Sequence, residues 1–343
     1  MASTPMKPNE RVASALRREE PDRVPWCEMH VDPSLSMKLM GWGGSEDQGF
    51  DLEQNQYTCV QAKAVSRFLG LGNIPFTLRA PIFAEKDKGK DGRLFYGKGM
   101  LKSKPDLGTL ILPDPTEDTL YGDAAEFIGG KEDLSAWFVT RVGLSSTMLS
   151  MGIEGFSLAL YDNRTLVEEI LDRYCDWAYV VAKRACELGF DAYVSTDDMA
   201  FKTKPFFSPK VFREMALPRY RRIRDILTIP WIIHSDGNMI PFMDDLVDLG
   251  IAGFHPNEKG AMDIRAMKRR YGHSLCILGN VDLVTLGIGT QEEVVSEVRG
   301  LIRDLGPGGG YIISSGNSLA GYLRPENILA MRDAIAEYGR RTC

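Results

Sequence analysis

Apolar and polar residues alternate in a regular way from about residue 134 onward. Each short apolar run ends in polar residues, and a long segment with apolar residues at helical spacing follows, as in residues 166–188 and 291–305. Strands that alternate with helices of this length predict a parallel sheet. The predicted strands cover residues 192–195, 231–233, 251–254, 276–278 and 311–313.

Polar groups follow nearly every predicted strand, and this favours one of two parallel architectures. An open sheet binds its ligand at one crevice, whereas a barrel gathers all of its strand ends at one mouth. The sequence therefore predicts an α/β fold, a (β/α)8 TIM barrel in which residues 1–343 form one domain. Its first part is less regular, with a helix at 6–20, a strand at 24–30, and an irregular or hairpin insertion at about 37–115 that contains a helix at 54–69 and hairpin strands near 76–83 and 93–102.

Composition narrows the classes of partner. The chain carries 41 Lys and Arg against 47 Asp and Glu, a net charge of −6, so it has no excess of cations to neutralise a nucleic acid backbone. No apolar run approaches the about 20 residues that span a bilayer, and residues 1–18 lack the apolar core of a secretory signal. We therefore expect a cytoplasmic protein that binds neither nucleic acid nor membrane.

The most informative segment is 231–238, which reads Trp-Ile-Ile-His-Ser-Asp-Gly-Asn. His234 and Asp236 are two residues apart at the end of a buried strand, so their side chains point to the same side. Both residues are ordinary zinc ligands, and three protein ligands with one open position form a catalytic zinc site. Alternatively, His234 orients a loop and Asp236 caps the helix that is predicted to begin near Met239.

Asp197 and Asp198 follow the preceding strand. Two adjacent carboxylates need compensation if both are buried, and a bound cation or a raised pKa supplies it. Both are candidates for substrate or metal binding, because loops at the mouth of a barrel usually carry its chemistry. Capping of a helix, together with an ion pair to Lys202 or Lys204, is the alternative.

The remaining candidates also follow predicted strands. Glu28 and His30, at the end of the first strand, are candidates for a general acid, a general base or a ligand, with a structural histidine as the alternative. Tyr161 follows an apolar run at 155–160 that either ends at the cavity or begins the helix that continues to residue 188. His273 precedes a strand and is expected at the opposite end of the barrel. Four more residues are candidate substrate contacts: His255, Asn257, Asn280 and Asn317.

Several segments together resemble the uroporphyrinogen decarboxylase superfamily, and their order and spacing are characteristic of it. The resemblance implies a (β/α)8 barrel with its site at the carboxyl ends of the strands. The sequence leaves open whether the protein is a monomer or a homodimer. The matching segments are 9–12, 20–25, 207–209, 217–218, 234–238, 279–282 and 324–328.

The decarboxylase branch of that superfamily fits less well than its cobalamin-dependent methyltransferase branch. Decarboxylases carry an Arg-Gln-Ala-Gly-Arg stretch that holds substrate carboxylates, but residues 27–32 read Cys-Glu-Met-His-Val-Asp. Their late histidine is also missing, since residues 315–318 read Ser-Gly-Asn-Ser. The methyltransferases hold zinc with a His-x-Cys and a later Gly-Cys. Here His234 matches, while Asp236 and Asn317 replace the two cysteines, and this oxygen-rich site suits an oxygen substrate.

The resemblance thus implies a substrate:corrinoid protein methyltransferase. His234 and Asp236, helped by Glu28 or Asp198, hold Zn²⁺ or a substrate oxygen, and a methyl group passes from a small methoxylated aromatic ether to the cobalt of cobalamin on a partner corrinoid protein. Two alternatives remain. One is a decarboxylase of a smaller acid, which needs a cationic pocket from Arg79, Arg141 or Arg164; the other is a non-catalytic barrel that binds a small ligand.

Overall fold

Seven parallel strands form the central sheet of the computed structural model, which describes residues 5–42, 55–89 and 94–340. The sheet strands follow one another in chain order, β1-β4-β5-β6-β7-β8-β9, and β2 and β3 form a separate antiparallel hairpin. The strands are β1 Asn73–Thr77, β2 Ala84–Lys88, β3 Leu94–Gly99, β4 Ser135–Thr140, β5 Ala192–Thr196, β6 Trp231–His234, β7 Gly253–His255, β8 Cys276–Leu278 and β9 Tyr311–Ile312.

Helices connect the strands, as parallel pairing requires. Several begin at a side-chain cap; Thr58 and Thr290 each form a capping box with the residue three positions later. A five-residue π-helical turn, Phe212–Ala216, joins α8 to α9. The helices are α1 Pro8–Leu16, α2 Pro33–Met40, α3 Cys59–Leu69, α4 Gly122–Gly130, α5 Leu144–Met151, α6 Ile153–Asp162, α7 Arg164–Leu188, α8 Pro209–Val211, α9 Leu217–Ile226, α10 Met243–Leu249, α11 Ile264–Tyr271, α12 Leu283–Ile288, α13 Gln291–Leu305 and α14 Pro325–Tyr338.

The two faces of the sheet pack into separate apolar clusters, because side chains alternate along each strand. Phe76, Phe138 and Tyr193 belong to the large cluster between the sheet and the helices. The inner cluster contains Val139 and Val194 from neighbouring strands together with Val12, Ala15 and Leu16 of α1. Helix α1 therefore packs against the inner face, and polar residues are left for the carboxyl ends of the strands.

Residues 24–31 run between the two edges of this sheet. A single parallel bridge joins Trp26 to Ile313, just after β9, and the carbonyl of Trp26 accepts a hydrogen bond of 2.7 Å from Gly72, just before β1. The sequence predicts a strand at 24–30; the structure has an extended segment with isolated bridges there. This segment hydrogen-bonds to both edge strands of the curled sheet.

The region predicted as an insertion at 37–115 contains a strand of the main sheet. Residues 76 and 77, predicted as the start of a hairpin strand, end β1, which pairs in parallel with β4. The hairpin itself is confirmed further along, as β2 and β3. The predicted helix at 54–69 is α3, which starts after the Thr58 cap; residue 54 lies outside the described part of the chain. No helix among the described residues combines the length and the apolar character of a membrane span.

Candidate active site

A row of inward-facing residues crosses the carboxyl ends of β5, β6 and β7. Thr196 pairs with His234, and His234 pairs with His255. Residues paired in this way lie side by side on the same face, with neighbouring strands about 4.8 Å apart. Ile232, two residues before His234, belongs to the inner cluster, so His234 faces the interior.

His234 lies against two carboxylates. Its Nε2 is 3.8 Å from Oδ1 of Asp198 and 3.9 Å from Oδ1 of Asp236. One ligand atom from each of the three residues lies within 4.8 Å of the other two. The backbone amide of Asp236 also donates to Asp198, at 2.9 Å. We call His234, Asp198 and Asp236 the acidic histidine cluster.

The surroundings of Asp236 disfavour the charged form of its carboxyl group. Burial raises its carboxyl pKa to about 8, and the charges of Asp198 and Glu258 add to the effect. Its Oδ2 accepts a hydrogen bond of 2.6 Å from Asn317, whereas its buried Oδ1 has no hydrogen-bond partner among the residues described. Asp236 does not cap a helix; Asn238 accepts from the amide of Ile240 at the next helical turn.

The cluster fits a divalent cation. It provides one imidazole nitrogen and two carboxylates at close range, and a buried carboxylate oxygen there lacks a donor. A cation between the three groups would offset the repulsion that raises the pKa of Asp236. Histidine and aspartate are a common ligand set for Zn²⁺, and three protein ligands leave a position for a substrate oxygen.

His255 orients the imidazole of His234. The two Nδ1 atoms are 2.7 Å apart and the rings are nearly parallel, with centroids 4.9 Å apart. One Nδ1 must carry a proton and donate it, and the other must be unprotonated and accept it, because two protonated nitrogens could not form this hydrogen bond. A metal ligand at Nε2 of His234 requires the proton on its Nδ1, so His255 accepts that proton as the outer partner of the ligand. Burial lowers the pKa of both histidines, which keeps both rings neutral.

We expect His255→Leu to lower the affinity for Zn²⁺ by about 10- to 100-fold, the usual cost of losing an outer-shell partner. His255→Gln, whose carbonyl oxygen can still accept from His234, should lose less. Competition with a chromophoric chelator measures both affinities, and thermal unfolding checks that both variants fold. Equal zinc affinities in the wild-type protein and the leucine variant would contradict this role.

The adjacent carboxylates Asp197 and Asp198 have different contacts, since they point to opposite faces of the sheet. Asp197 is fully buried, and its oxygens accept from the amides of Val142 at 2.6 Å, Ser145 at 3.0 Å and Gly143 at 3.3 Å. It therefore caps α5, and the structure does not place it in the cluster. Burial raises its carboxyl pKa, against the effect of these three amides. Lys202 pairs with Glu258 instead of either aspartate.

Glu28 lies away from the cluster. Side chains alternate along this extended segment, and Cys27 and Met29 belong to the inner cluster. Glu28 therefore points to the outer face, as Trp26 does. It accepts hydrogen bonds from the indole of Trp26 at 2.6 Å and from the amide and hydroxyl of Ser315 at 2.8 and 2.6 Å. The structure thus gives Glu28 a role in joining residues 24–31 to the strand end after β9.

Burial raises the carboxyl pKa of Glu28 from 4.5 to about 7. The folded protein therefore holds this proton more tightly than the unfolded chain, and the free energy of unfolding falls as pH rises from about 4.5 to 7. We expect the free energy of unfolding of Glu28→Gln to rise by about 3 kcal/mol relative to that of wild type over that range. Urea unfolding of both proteins at pH 4.5, 6 and 8 measures it. A difference that stays constant with pH would contradict the shifted pKa.

Of the other residues predicted as substrate contacts, most lie outside the acidic histidine cluster. His30 is half-buried, and burial lowers its pKa to about 4. Tyr161 is 93% exposed on α6, and the apolar run before it is a helix, since Phe156 and Ala159 are buried at helical spacing. The Nδ2 of Asn257 donates to two strand-end carbonyls, and Asn280 donates to the carbonyl of Asn257. Asn317 alone of this group contacts the cluster.

Two arginines that the sequence left unplaced lie at the ends of neighbouring strands. Thr77 pairs with Val139, so Arg79 and Arg141 come next in register beyond β1 and β4. Both are largely removed from solvent, and their charges act on one another and on Asp197. Arg164 differs, because it starts α7 and pairs with Glu168 and Glu214 on the surface. In the sequence, Arg79 comes two residues after the end of β1. That stretch was predicted to be a hairpin strand, so the position of Arg79 at the end of a sheet strand was missed.

A parallel curled sheet with buried titratable groups gathered at its strand ends is typical of the active sites of TIM-barrel type enzymes. The chain belongs to the uroporphyrinogen decarboxylase (URO-D) family, whose model matches residues 139–338. A uroporphyrinogen decarboxylase of Alkalilimnicola ehrlichii is 22% identical over 97% of this chain and 95% of its own. A second, from Methylococcus capsulatus, is 21% identical over 69% of this chain and 70% of its own.

Solved structures show the same fold. A methyltransferase from Methanosarcina mazei has a TM-score of 0.77 and covers 97% of this chain and 99% of its own, at 20% identity. A B12-independent methionine synthase from Shewanella has a TM-score of 0.54 over 92% of this chain and 98% of its own, at 10% identity. The fold of this chain is thus shared with a methyltransferase.

Proposed function

We propose that this protein is a methyltransferase that moves a methyl group from a small aryl methyl ether to the cobalt of a corrinoid held by a partner protein. The observation that carries the proposal is the acidic histidine cluster, an imidazole and two carboxylates within 4.8 Å of one another at the mouth of the sheet. Such an oxygen-rich ligand set suits a metal that binds an ether oxygen rather than a thiol.

The cluster residues would hold Zn²⁺ through Nε2 of His234 and one oxygen each of Asp198 and Asp236. When bound, the metal supplies Lewis-acid polarisation of the ether oxygen. His255 holds the proton of His234 on Nδ1, and Asn317 fixes the second oxygen of Asp236 by donating to it at 2.6 Å. These contacts position the ligands before substrate arrives.

The transfer itself exchanges one bond for another. The methyl carbon loses its bond to the ether oxygen, which keeps the electron pair and leaves as a phenolate, and gains a bond to Co(I) of the corrinoid. Asp198, whose side chain is 49% exposed, is the most open member of the cluster, and we expect the corrinoid to approach from its side. The role of this chain is to position the ether and to stabilise the charge that develops on its oxygen.

Anaerobic incubation of the purified protein with zinc, cob(I)alamin and a panel of methoxylated aromatics tests the proposal. We expect the absorbance spectrum of methylcobalamin to appear with at least one ether, and a chelator that removes zinc to stop it. A panel without turnover by the zinc-loaded protein would reject the proposal.

The position of two arginines favours a second candidate, decarboxylation of a small acid. Arg79 and Arg141 lie at the ends of β1 and β4, where they could hold a carboxylate, and the curated relatives are named decarboxylases. The same incubations distinguish the two reactions, since a decarboxylase would release CO₂ without cob(I)alamin.

We also propose that the sheet closes as a (β/α)8 barrel, with residues 24–31 as the eighth strand. The support is the set of hydrogen bonds from this segment to both edges of the sheet, including Cys27 to Ile313 at 3.1 Å and Gly72 to Trp26 at 2.7 Å. Slow hydrogen exchange of the amides of Cys27 and Gly72 would agree with closure, and exchange at the rate of an open loop would contradict it.

A further inference from the structure

Arg79 and Arg141 face the same interior as the acidic histidine cluster. Trp137 and Val139, which alternate with Arg141 along the chain, belong to the inner cluster of apolar residues. Ile74, Phe76 and Leu78 belong to the outer cluster, so Arg79 has inward parity as well. Thr77 pairs with Val139, so two residues further on Arg79 lies beside Arg141. Thr140 pairs with Ser195, so Arg141 in turn lies beside Thr196, which pairs with His234.

Arg141 is a buried cation without an ion pair among the described residues, and the negative charge that acts on it from nearby is that of Asp197. Its side chain makes no hydrogen bond or ion pair with any residue in 5–42, 55–89 or 94–340, its Nη1 is shielded from solvent, and the residue is only 8% exposed. Asp197, on whose pKa the charge of Arg141 acts, already accepts from three backbone amides. A buried charge without a partner is costly, which favours an anion that arrives with the substrate.

Arg79 adds a second positive charge at the same place. Burial lowers its guanidinium pKa to about 9, and the charge of Arg141 adds to that effect. In register, Arg79 lies two strands from Thr196, the residue that pairs with His234. The charges of Asp198 and Asp197 act on Arg79 in the opposite sense, so the unpaired guanidinium of Arg141 is the one that an arriving anion would stabilise most.

We propose that Arg141 and Arg79 bind a carboxylate of the methyl donor while its ether oxygen lies at the acidic histidine cluster. The donor is then an aromatic methyl ether that also carries a carboxylate, as in a methoxybenzoate. This inference rests on the proposed function for the ether end of the substrate, whereas the carboxylate subsite itself does not depend on the methyl transfer.

The spacing of the strands agrees with such a donor. Arg141 lies on β4 and His234 on β6, two strands away, which separates their backbones by about 10 Å. Both residues have inward parity, and an aromatic ring with an ether and a carboxylate at opposite positions would reach from one side chain to the other. Guanidinium groups bind carboxylates through two parallel hydrogen bonds, so the arginines would also fix the orientation of the ring.

Binding and turnover are measured separately. Isothermal titration of the zinc-loaded protein with 4-methoxybenzoate, and with 4-methoxybenzyl alcohol as the neutral analogue, compares wild type with Arg141→Gln and Arg79→Gln. Arg164→Gln, on the surface of α7, is the matched control. We expect the acid to bind wild type and the control at least about 30-fold more tightly than it binds Arg141→Gln, and the alcohol to bind all four proteins alike.

Two outcomes overturn the inference. One is equal binding of the acid by wild type and Arg141→Gln, with both proteins folded by circular dichroism; the other is equal binding of the acid and the alcohol by wild type. Methyl transfer from neutral ethers with either outcome would leave the proposed function intact. Arginine-dependent binding of the acid without formation of methylcobalamin would instead keep the carboxylate subsite and reject the methyl transfer.

Discussion

Asp198→Asn is expected to lower the zinc affinity about 100-fold or more while leaving the free energy of unfolding nearly unchanged. Asp198 is one of the three proposed zinc ligands, and even outer partners of metal ligands are worth about 10- to 100-fold in affinity. Stability should survive because the asparagine carbonyl can still accept the hydrogen bond from the amide of Asp236. Its half-exposed position adds no buried group that would need a new partner.

The neighbouring substitution, Asp197→Asn, is the matched control with the opposite result. An asparagine has one acceptor oxygen for the three amides that Asp197 now satisfies, and each buried amide left without a partner costs about 1–3 kcal/mol. We expect a loss of stability in this range and, in the protein that remains folded, an unchanged zinc affinity. Urea unfolding and a chelator competition measure the two effects. Loss of zinc with Asp197→Asn but not with Asp198→Asn would reverse our assignment.

His234→Ala is expected to lower the rate of methyl transfer by about 10³-fold or more. The substitution removes the nitrogen ligand that lies 3.8 and 3.9 Å from the two carboxylates. Lewis-acid stabilisation of a leaving oxygen is worth several kcal/mol, and about 4 kcal/mol corresponds to a factor of 10³ in rate. Single-turnover formation of methylcobalamin, followed by absorbance, measures the change.

His273→Ala provides the comparison for that measurement. His273 is exposed in the turn that precedes β8, at the amino-terminal end of the strand and outside the cluster. Its loss should leave both rate and zinc content unchanged. A His234→Ala variant that binds zinc and turns over like His273→Ala would show that the cluster is not the site of the reaction.

The sequence predicted the parallel sheet because the carboxyl-terminal strands and helices are encoded locally. Apolar runs such as 231–233 end in polar residues, and helical spacing resumes within a few positions. The strand at 73–77 was less visible, since Pro75 interrupts it and a true hairpin follows closely. The pairing of β1 with β4, some 60 residues later, depends on tertiary structure and cannot be predicted from the local sequence pattern.

The site was predictable to the extent that alternation along one strand decides it. Spacing of two placed His234 and Asp236 on one side, and the structure agrees. The same rule separates Asp197 from Asp198, and Glu28 from Cys27, once the inward parity of each strand is known. That parity depends on which apolar residues pack on the inner face of the curled sheet, and for Arg79 it also depends on a strand that the sequence pattern concealed.

The central claim is that a methyl group leaves an ether oxygen for cobalt. A methoxybenzoate labelled with ¹³C at both the methoxy and the carboxyl carbon, incubated anaerobically with the zinc-loaded protein and cob(I)alamin, tests it in one ¹³C spectrum. We expect the label of the methoxy carbon in the cobalt-methyl signal and the label of the carboxyl carbon unchanged on the ring of the phenol product. Labelled CO₂ with the methoxy signal intact would contradict the account and identify a decarboxylase instead.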